Sequence, residues 1–482
     1  MSKVGLVTTF RFAPSEKGDE LSVQRCWSVL SSFLAFHLAK GVDHIFLYAD
    51  ADDHSNRVYI ERVAKEFLAS QVSVDVRNEA QTERQRRTCR LWDELGSFSA
   101  TEVPARQSLN AEDALRKAAE MGLHWLLHLD IDELFFTSES SIKPHFDRLN
   151  KLGVEQMTYA NHEAVPTSES VNDYFAEVHL FRVNHLVLPL SHEVGECTRF
   201  WRRKRQHGQY MLAYDNGKSA VKVLPGRIVP QSVHRWRTLI LDEQNTHSHK
   251  NLSTAGATAA VACKSLDARG ALAAGTPSEE SFVAIKNVRD GAAVDVPRGK
   301  QDATEDVARA DRERENGQEP SVVPLVNRSA LVDPRDLCVN DLLECSDPCV
   351  LHYPSCGLDW LRDKYRLLGD FPSSWFGGKL PIAPCFHLDA RNALERQNIE
   401  ENRNGNGHDQ QGARSGDGGA EADTCRELYR REVMICPSEI AEQMSVQLEH
   451  GVLRTITSAA SVIKQVGDAR ATLGPLELPA AV

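Results

Sequence analysis

Trp125-Leu126-Leu127-His128-Leu129-Asp130-Ile131-Asp132-Glu133-Leu134-Phe135 is the stretch on which the reading of this chain turns. An apolar run fit for a buried strand ends in three acids. Charge at the end of such a strand is costly unless it is paired or holds a metal. In extended backbone, residues two apart point to the same side, so Asp130 and Asp132 can reach one ion; on a helix they would diverge. Carboxylate oxygens suit Mg²⁺ or Mn²⁺. In an open α/β sheet, ligands sit beyond the carboxyl ends of the strands, which is where these acids fall. The plain alternative is an acidic surface turn, because a bare Asp-x-Asp is common.

Upstream, strands and helices alternate. Residues 4–9 form a short apolar run. Val23, Trp27, Leu30, Leu34 and Leu38 then share one helical stripe over 21–40, and Gly41 ends it. Residues 44–48 make a second strand and 72–76 a third, with a helix between them capped by Asp53 or Ser55 and running to about Leu68. Asn110, followed by Glu112 and Asp113, reads as a helix start, and that helix delivers the chain to a fourth strand at 125–129. Such alternation implies an α/β fold: a mixed, mostly parallel sheet flanked by helices.

Beyond Glu155 the pattern becomes strand-rich and mixed. The expected organisation is a core over 1–241, a disordered low-complexity insertion over 242–336, a returning part of the same domain over 337–401, a second disordered insertion over 402–424, C-terminal helices over 425–467 and a loose tail over 468–482. Segments of the first insertion, such as 254–262 and 302–320, are rich in Ala, Gly, Glu, Asp and Arg and free of aromatics, and the second is polar, so they bury too little to offset ordering entropy. A helix over 358–368, stopped by Gly369, and two more near 425–434 and 438–449 complete the expectation.

Over the 482 residues the formal net charge is -12, which argues against a nucleic-acid partner, normally met by a basic face. Eleven cysteines occur, and the spacing of Cys338, Cys345, Cys349 and Cys356 does not match a zinc ribbon, so buried or free thiols are expected there. No apolar run reaches the length of a membrane span and no leader is visible, so the text of the sequence points to a cytoplasmic protein. An incomplete N-terminus would shift that to the secretory pathway or Golgi; Asn251-Leu252-Ser253 and Asn327-Arg328-Ser329 fit the glycosylation sequon.

Four blocks carry a family resemblance. The run from Phe33 through His37, Gly41 and Val42 to Tyr48 resembles the "W-x-x-Y-H-x-x-x-G-V-x-x-x-x-x-Y" opening of GT-A-fold glycosyltransferases of the family-2-like and family-92-like group, and 125–135 resembles their "W-x-x-x-x-D-x-D-E-F". Tyr214-Asp215-Asn216-Gly217-Lys218-Ser219 resembles their "G-K-S" strand, followed by His234-Arg235-Trp236, and His352-Tyr353 with Lys364 resembles their C-terminal "H-Y" block. The blocks recur in family order across about 4–364.

This resemblance implies a transferase that takes a sugar from a UDP- or GDP-linked donor to an acceptor hydroxyl on a glycan, protein or lipid, with Mn²⁺ or Mg²⁺. Asp130 and Asp132 would hold the ion, with a histidine from the C-terminal half, His234 before His352, completing the site. Glu133 would orient the loop. Asp50 is placed to meet the base or ribose of the nucleotide, or else to cap a helix, and Lys218 with Lys222 to meet phosphate. For the base that takes the acceptor proton the candidates are Glu163 and then Asp215. The sequence departs from the family after its first strand, where Thr8-Thr9-Phe10-Arg11 replaces the usual Asn-Glu pair, and around Asn161-His162-Glu163. The alternative is a non-catalytic protein of the same fold that binds a nucleotide sugar or a partner. A metal-dependent phosphohydrolase or nucleotidyltransferase would need more clustered His and Asp ligands than the chain offers.

Overall fold

The computed structural model describes residues 1–12, 20–50, 54–205, 209–211, 215–239, 336–337, 347–369, 371, 373–382, 386–405, 423–436, 438 and 440–473. The chain divides into two compact units, 1–268 with 333–482 and 269–332; the second lies wholly outside the described residues, and everything below concerns the first. Outside them too lie nearly all of the first expected insertion and most of the second, the two sequons, Asp53, Cys338, Cys345 and most of the tail; residues 402–405 of the second continue the helix Phe386–Gly405.

In chain order the strands are β1 (Val4–Phe10), β2 (His44–Ala49), β3 (Val72–Val76), β4 (Trp125–His128), β5 (Glu133–Phe136), β6 (Gln156–Tyr159), β7 (Asn161–Ala164) and β8 (Leu180–Arg182). They continue with β9 (Lys218–Lys222), β10 (Ile228–Pro230), β11 (Trp236–Thr238), β12 (Asp336–Leu337), β13 (Cys349–His352), β14 (Ser374–Trp375), β15 (Leu380–Pro381) and β16 (Leu453–Thr455). The main sheet has the order β12-β6-β9-β4-β1-β2-β3. Its β1, β2, β3 and β4 are mutually parallel, and β9 runs antiparallel between β4 and β6. A second sheet has the order β16-β8-β7-β13-β5. The mixed α/β fold with flanking helices that the GT-A resemblance implies is thus present.

Every residue of β1 and β2 is buried, as a strand covered on both faces requires, which is why their apolar runs do not alternate. The helix Glu20–Ala39 buries Trp27, Leu30 and Leu34 of the expected stripe against this sheet. Gly41, at φ 96°, then turns the chain into β2 in a backbone shape that costs glycine little. The helix Leu358–Leu368 likewise ends at Gly369 with φ 64°.

Three expectations are corrected. The helix before β4 spans Val103–Glu120, seven residues earlier than Asn110 suggested. Its start is set by Glu102 with Pro104 in the first turn, where the missing proline N–H costs nothing. Asn110 lies mid-helix, its carbonyl accepting from Gln81 and Gln85 and its amide donating to Thr9, so its polarity serves packing between elements. The helix near 425–434 is α-helical only over Thr424–Leu428 and widens into a π turn over Tyr429–Val433. Finally, the last helix runs Ser458–Leu473, through Gly467 and beyond the expected end of order; Ala459 and Ile463 anchor it in the main core.

Candidate active site

The acids at the end of β4 do not continue the strand. Glu133 N–H donates to Asp130 O at 3.1 Å and Asp130 N–H to Glu133 Oε2 at 2.8 Å, closing a tight turn between β4 and β5. This overturns the extended reading of Asp130-Ile131-Asp132, because β4 and β5 belong to different sheets and the chain must bend between them. The two carboxylates consequently face different cations.

Asp130 turns toward the main sheet. Lys218 Nζ donates to its Oδ2 at 2.5 Å and Gln107 Nε2 to its Oδ1 at 2.6 Å, so both oxygens are held. Lys218 is 1% exposed and also lies 3.6 Å from Glu133 Oε2. Burial pushes the Asp130 carboxyl up, but the Lys218 ammonium outweighs it and holds the group below the usual carboxylate range. The net shift of Glu133 is the opposite one: burial pushes its carboxyl up to about 7, and Lys218 offsets this only in part. The strand that presents Lys218 begins after Gly217, at φ 68°, where an added Cβ would lie 1.9 Å from Tyr159 O; only glycine fits.

Asp132 turns toward the second sheet. Its Oδ2 accepts from Lys364 Nζ at 3.2 Å and lies 4.0 Å from His352 Nε2, while Tyr353 N–H donates to its backbone oxygen at 2.8 Å. His352 Nδ1–H in turn donates to Glu163 Oε1 at 2.6 Å. Burial lowers the His352 imidazole, yet Glu163, Asp132 and Glu133 together raise it to about 9.

The remaining candidates fall as follows. His234 lies on the Asp130 side, with Nδ1–H committed to Gly217 O at 2.9 Å; burial and the Lys218 charge lower it to about 3, so it is neutral. Asp50 is 4% exposed and paired to Arg106 through both oxygens, at 2.6 and 2.7 Å, which leaves its carboxylate engaged within the protein. Lys222 is at the far end of β9, paired with Trp125 at the start of β4, and so stands away from the carboxyl ends of the strands. Glu163 is 0% exposed, and a buried carboxylate bonded to His352 cannot touch an acceptor; that corrects its expected place as the base. Asp215 is half-buried, 3.4 Å from His185 Nδ1, and its backbone oxygen accepts from Asn184. Cys349 and Cys356 are buried free thiols.

Gln107, Arg106, Lys364 and Arg182 were not singled out as site residues. Lys364 carried a signal, since it belongs to the C-terminal block; Arg106 and Gln107 lie within the helix Val103–Glu120 and Arg182 ends β8, with no local pattern to mark them.

Among the described residues no three His, Cys, Asp or Glu side chains converge on one point as a ready metal cage. Two groups nonetheless fit an ion. Asp132 Oδ2 and His352 Nε2 stand 4.0 Å apart, too far for a hydrogen bond; neighbouring ligands of one divalent ion at about 2.1 Å each lie about 3.0–3.4 Å apart, so the pair would close by no more than about 1 Å around an ion. The other imidazole nitrogen donates to a carboxylate, the arrangement that commonly orients a metal-binding histidine. Asp130, with both oxygens held by Lys218 and Gln107, fits less well. The cost of charge at the strand end is therefore met internally by Lys218 and Lys364, and does not by itself demand a ligand.

No family model matches the chain. Over 213 residues it is 28% identical to the glycosyltransferase-like protein At2g41451 of Arabidopsis thaliana, a segment covering 42% of this chain and 45% of that one. A second Arabidopsis thaliana protein, glycosyltransferase-like At3g57200, is 29% identical over 213 residues, covering 42% of this chain and 40% of its own. The chain thus spans less than half the length of these curated relatives. Among solved structures, mouse xyloside xylosyltransferase 1 in apo form overlaps 46% of this chain and 67% of its own at 13% identity and a TM-score of 0.23. The mannosyltransferase Ktr4p of S. cerevisiae, solved in complex with GDP, overlaps 46% and 57% at 8% identity and a TM-score of 0.21. Both structural overlaps are partial.

Proposed function

We propose that the protein is a metal-dependent glycosyltransferase of GT-A fold, of the family-2-like and family-92-like group, taking its sugar from a UDP- or GDP-linked donor. One observation carries the reading: Asp132 and His352 face each other across 4.0 Å at the strand ends, with Lys364 beside Asp132. The 28% and 29% identities to proteins named glycosyltransferase-like support the same class.

In this reading Asp132 and His352 hold Mn²⁺ or Mg²⁺, and Glu163 fixes the imidazole that presents Nε2. A bound divalent ion would offset the charge that grows on the diphosphate as it leaves. Lys364, half-buried beside Asp132, is placed to meet a phosphate oxygen as a point charge. Lys218 holds Asp130 in place and keeps the turn closed, so the two acids of the motif divide their work: Asp130 builds the loop and Asp132 binds. During transfer the bond from the anomeric carbon to the diphosphate oxygen breaks and a bond to the acceptor oxygen forms. The acceptor proton goes to a base, for which Asp215, half-buried beside His185, is the remaining candidate.

The test is release of nucleoside diphosphate from a panel of UDP- and GDP-sugars, with Mn²⁺ or with chelator. Asp132→Ala and His352→Ala are expected to lower the rate by about 100-fold or more. A second reading, a non-catalytic nucleotide-sugar binder, is favoured by the internal neutralisation of both acids. Tight donor binding with no release in the presence of any acceptor would establish that reading and end the first.

A further inference from the structure

In the second sheet the registers Glu133 with His352, His352 with Glu163 and Glu163 with Arg182 place four titratable side chains in one row on one face. Their signs alternate, and all are buried: Glu133 at 3%, His352 at 8%, Glu163 and Arg182 at 0%. The row leads from the candidate site through β13 and β7 to β8. Its far end is unusual. Among the described residues none gives Arg182 Nε, Nη1 or Nη2 a hydrogen-bond partner, although all three are buried, and its guanidinium rests on the Trp201 ring at 5.3 Å. Directly opposite, Glu163 uses Oε1 for both His352 Nδ1 and Asn161 Nδ2, each at 2.6 Å, while its Oε2 is also buried without a hydrogen-bond partner. Leaving a guanidinium and a carboxylate oxygen unsatisfied in the interior is expensive, and residues directly opposite on neighbouring strands have Cβ atoms only about 5 Å apart. A single ordered water between them would give the carboxylate oxygen a donor and part of the guanidinium an acceptor.

We propose that Arg182, two strands away from His352 and out of reach of any substrate, is a positioning residue for the site. Through one bridging water it holds the Glu163 carboxylate by Oε2, which leaves Oε1 for His352 Nδ1 and directs Nε2 at Asp132. Among the described residues Glu163 has no comparable anchor on that side: its other donor, Asn161, shares Oε1 with the imidazole. Without Arg182 the carboxylate is free to rotate, and the imidazole follows it.

The inference rests on the reading of His352 as a site residue, so its test has a readout that needs neither metal nor turnover. On the full chain, ¹⁵N-histidine NMR follows the hydrogen-bonded Nδ1–H of His352, assigned by its absence in His352→Gln. Mn²⁺ affinity is measured in parallel without nucleotide. Arg182→Met and Arg182→Gln are each expected to shift or lose that signal and to weaken Mn²⁺ binding by about 10–100-fold, whereas Arg182→Lys keeps the signal and binds within about threefold of the parent. A core variant remote from the row, Val63→Ala, gives the change expected from lost stability alone, which is none in either readout. Unchanged signal and Mn²⁺ affinity in whichever neutral variant folds would overturn the proposal. If the parent binds no Mn²⁺ but the neutral variants still lose the Nδ1–H signal, the positioning role stands and the metal reading falls.

Discussion

Lys218 is the residue whose surroundings say most about the acidic motif. A 1% exposed ammonium that touches Asp130 at 2.5 Å has its counter-charge chosen for it. Truncating one partner leaves the other stranded, whereas removing both leaves little behind. Lys218→Met is therefore expected to destabilise the protein by about 2–4 kcal/mol, moderated because Asp130 keeps some access to water, and the double variant with Asp130→Asn to recover most of the loss. Urea denaturation of the single and double variants checks this; equal losses in both would show that the pair is not what holds the turn. The motif was legible as chemistry but not as geometry. Nothing in Asp130-Ile131-Asp132 discloses that the backbone turns between them. That follows from Glu133 reaching back to Asp130 N–H, a contact the sequence does not single out.

Among the elements, strands proved the most readable, because β1, β2 and β4 are buried on both faces and write themselves as apolar runs. Helix starts were less so: Asn110, Glu112 and Asp113 look like a cap and its first turn, yet they lie buried along one helix that meets β1 and the helix Glu79–Thr88. A polar side chain committed to tertiary contacts is indistinguishable, in one dimension, from one that caps. Buried and half-buried histidines mark several of these elements. His37, His128, His234 and His387 are each lowered to about 3, burial being the first cause in every case. Folded, they stay neutral where the unfolded chain, titrating near 6.5, takes up protons. The stability this set contributes is complete above pH 6.5 and is lost as pH falls toward 3, each histidine steepening the fall by up to about 1.4 kcal/mol per pH unit, whereas His352, raised to about 9, acts in the opposite sense. Melting temperatures recorded from pH 7.5 down to pH 4.5 should drop progressively from about pH 6.5. A flat profile to pH 4.5 would contradict the neutral state of this set.

For the molecule as a whole, the candidate site is a seam between two sheets. Asp130, Lys218 and Gln107 come from or above the main sheet, and Asp132, His352 and Glu163 from or beside the second. The class of fold was readable from the order of strands and helices alone. The seam was not, since it depends on β13, which follows β8 by more than a hundred residues yet lies between β7 and β5. His234 reads as the better ligand because it follows a strand and precedes Arg235, a local pattern that says nothing of which sheet a residue joins. Glu163 reads as a base because its burial behind His352 is invisible in one dimension. The central claim is that this seam binds a nucleotide through a divalent ion held by Asp132 and His352. Thermal melting of the full chain with Mn²⁺ against UDP, GDP and their sugars, beside Asp132→Ala, tests it most directly, because a ligand that binds only the native state raises its melting point. The account predicts a rise with one nucleotide class, dependent on Mn²⁺ and lost in the variant. An equal rise without Mn²⁺ or in Asp132→Ala, or none with any nucleotide, would contradict it.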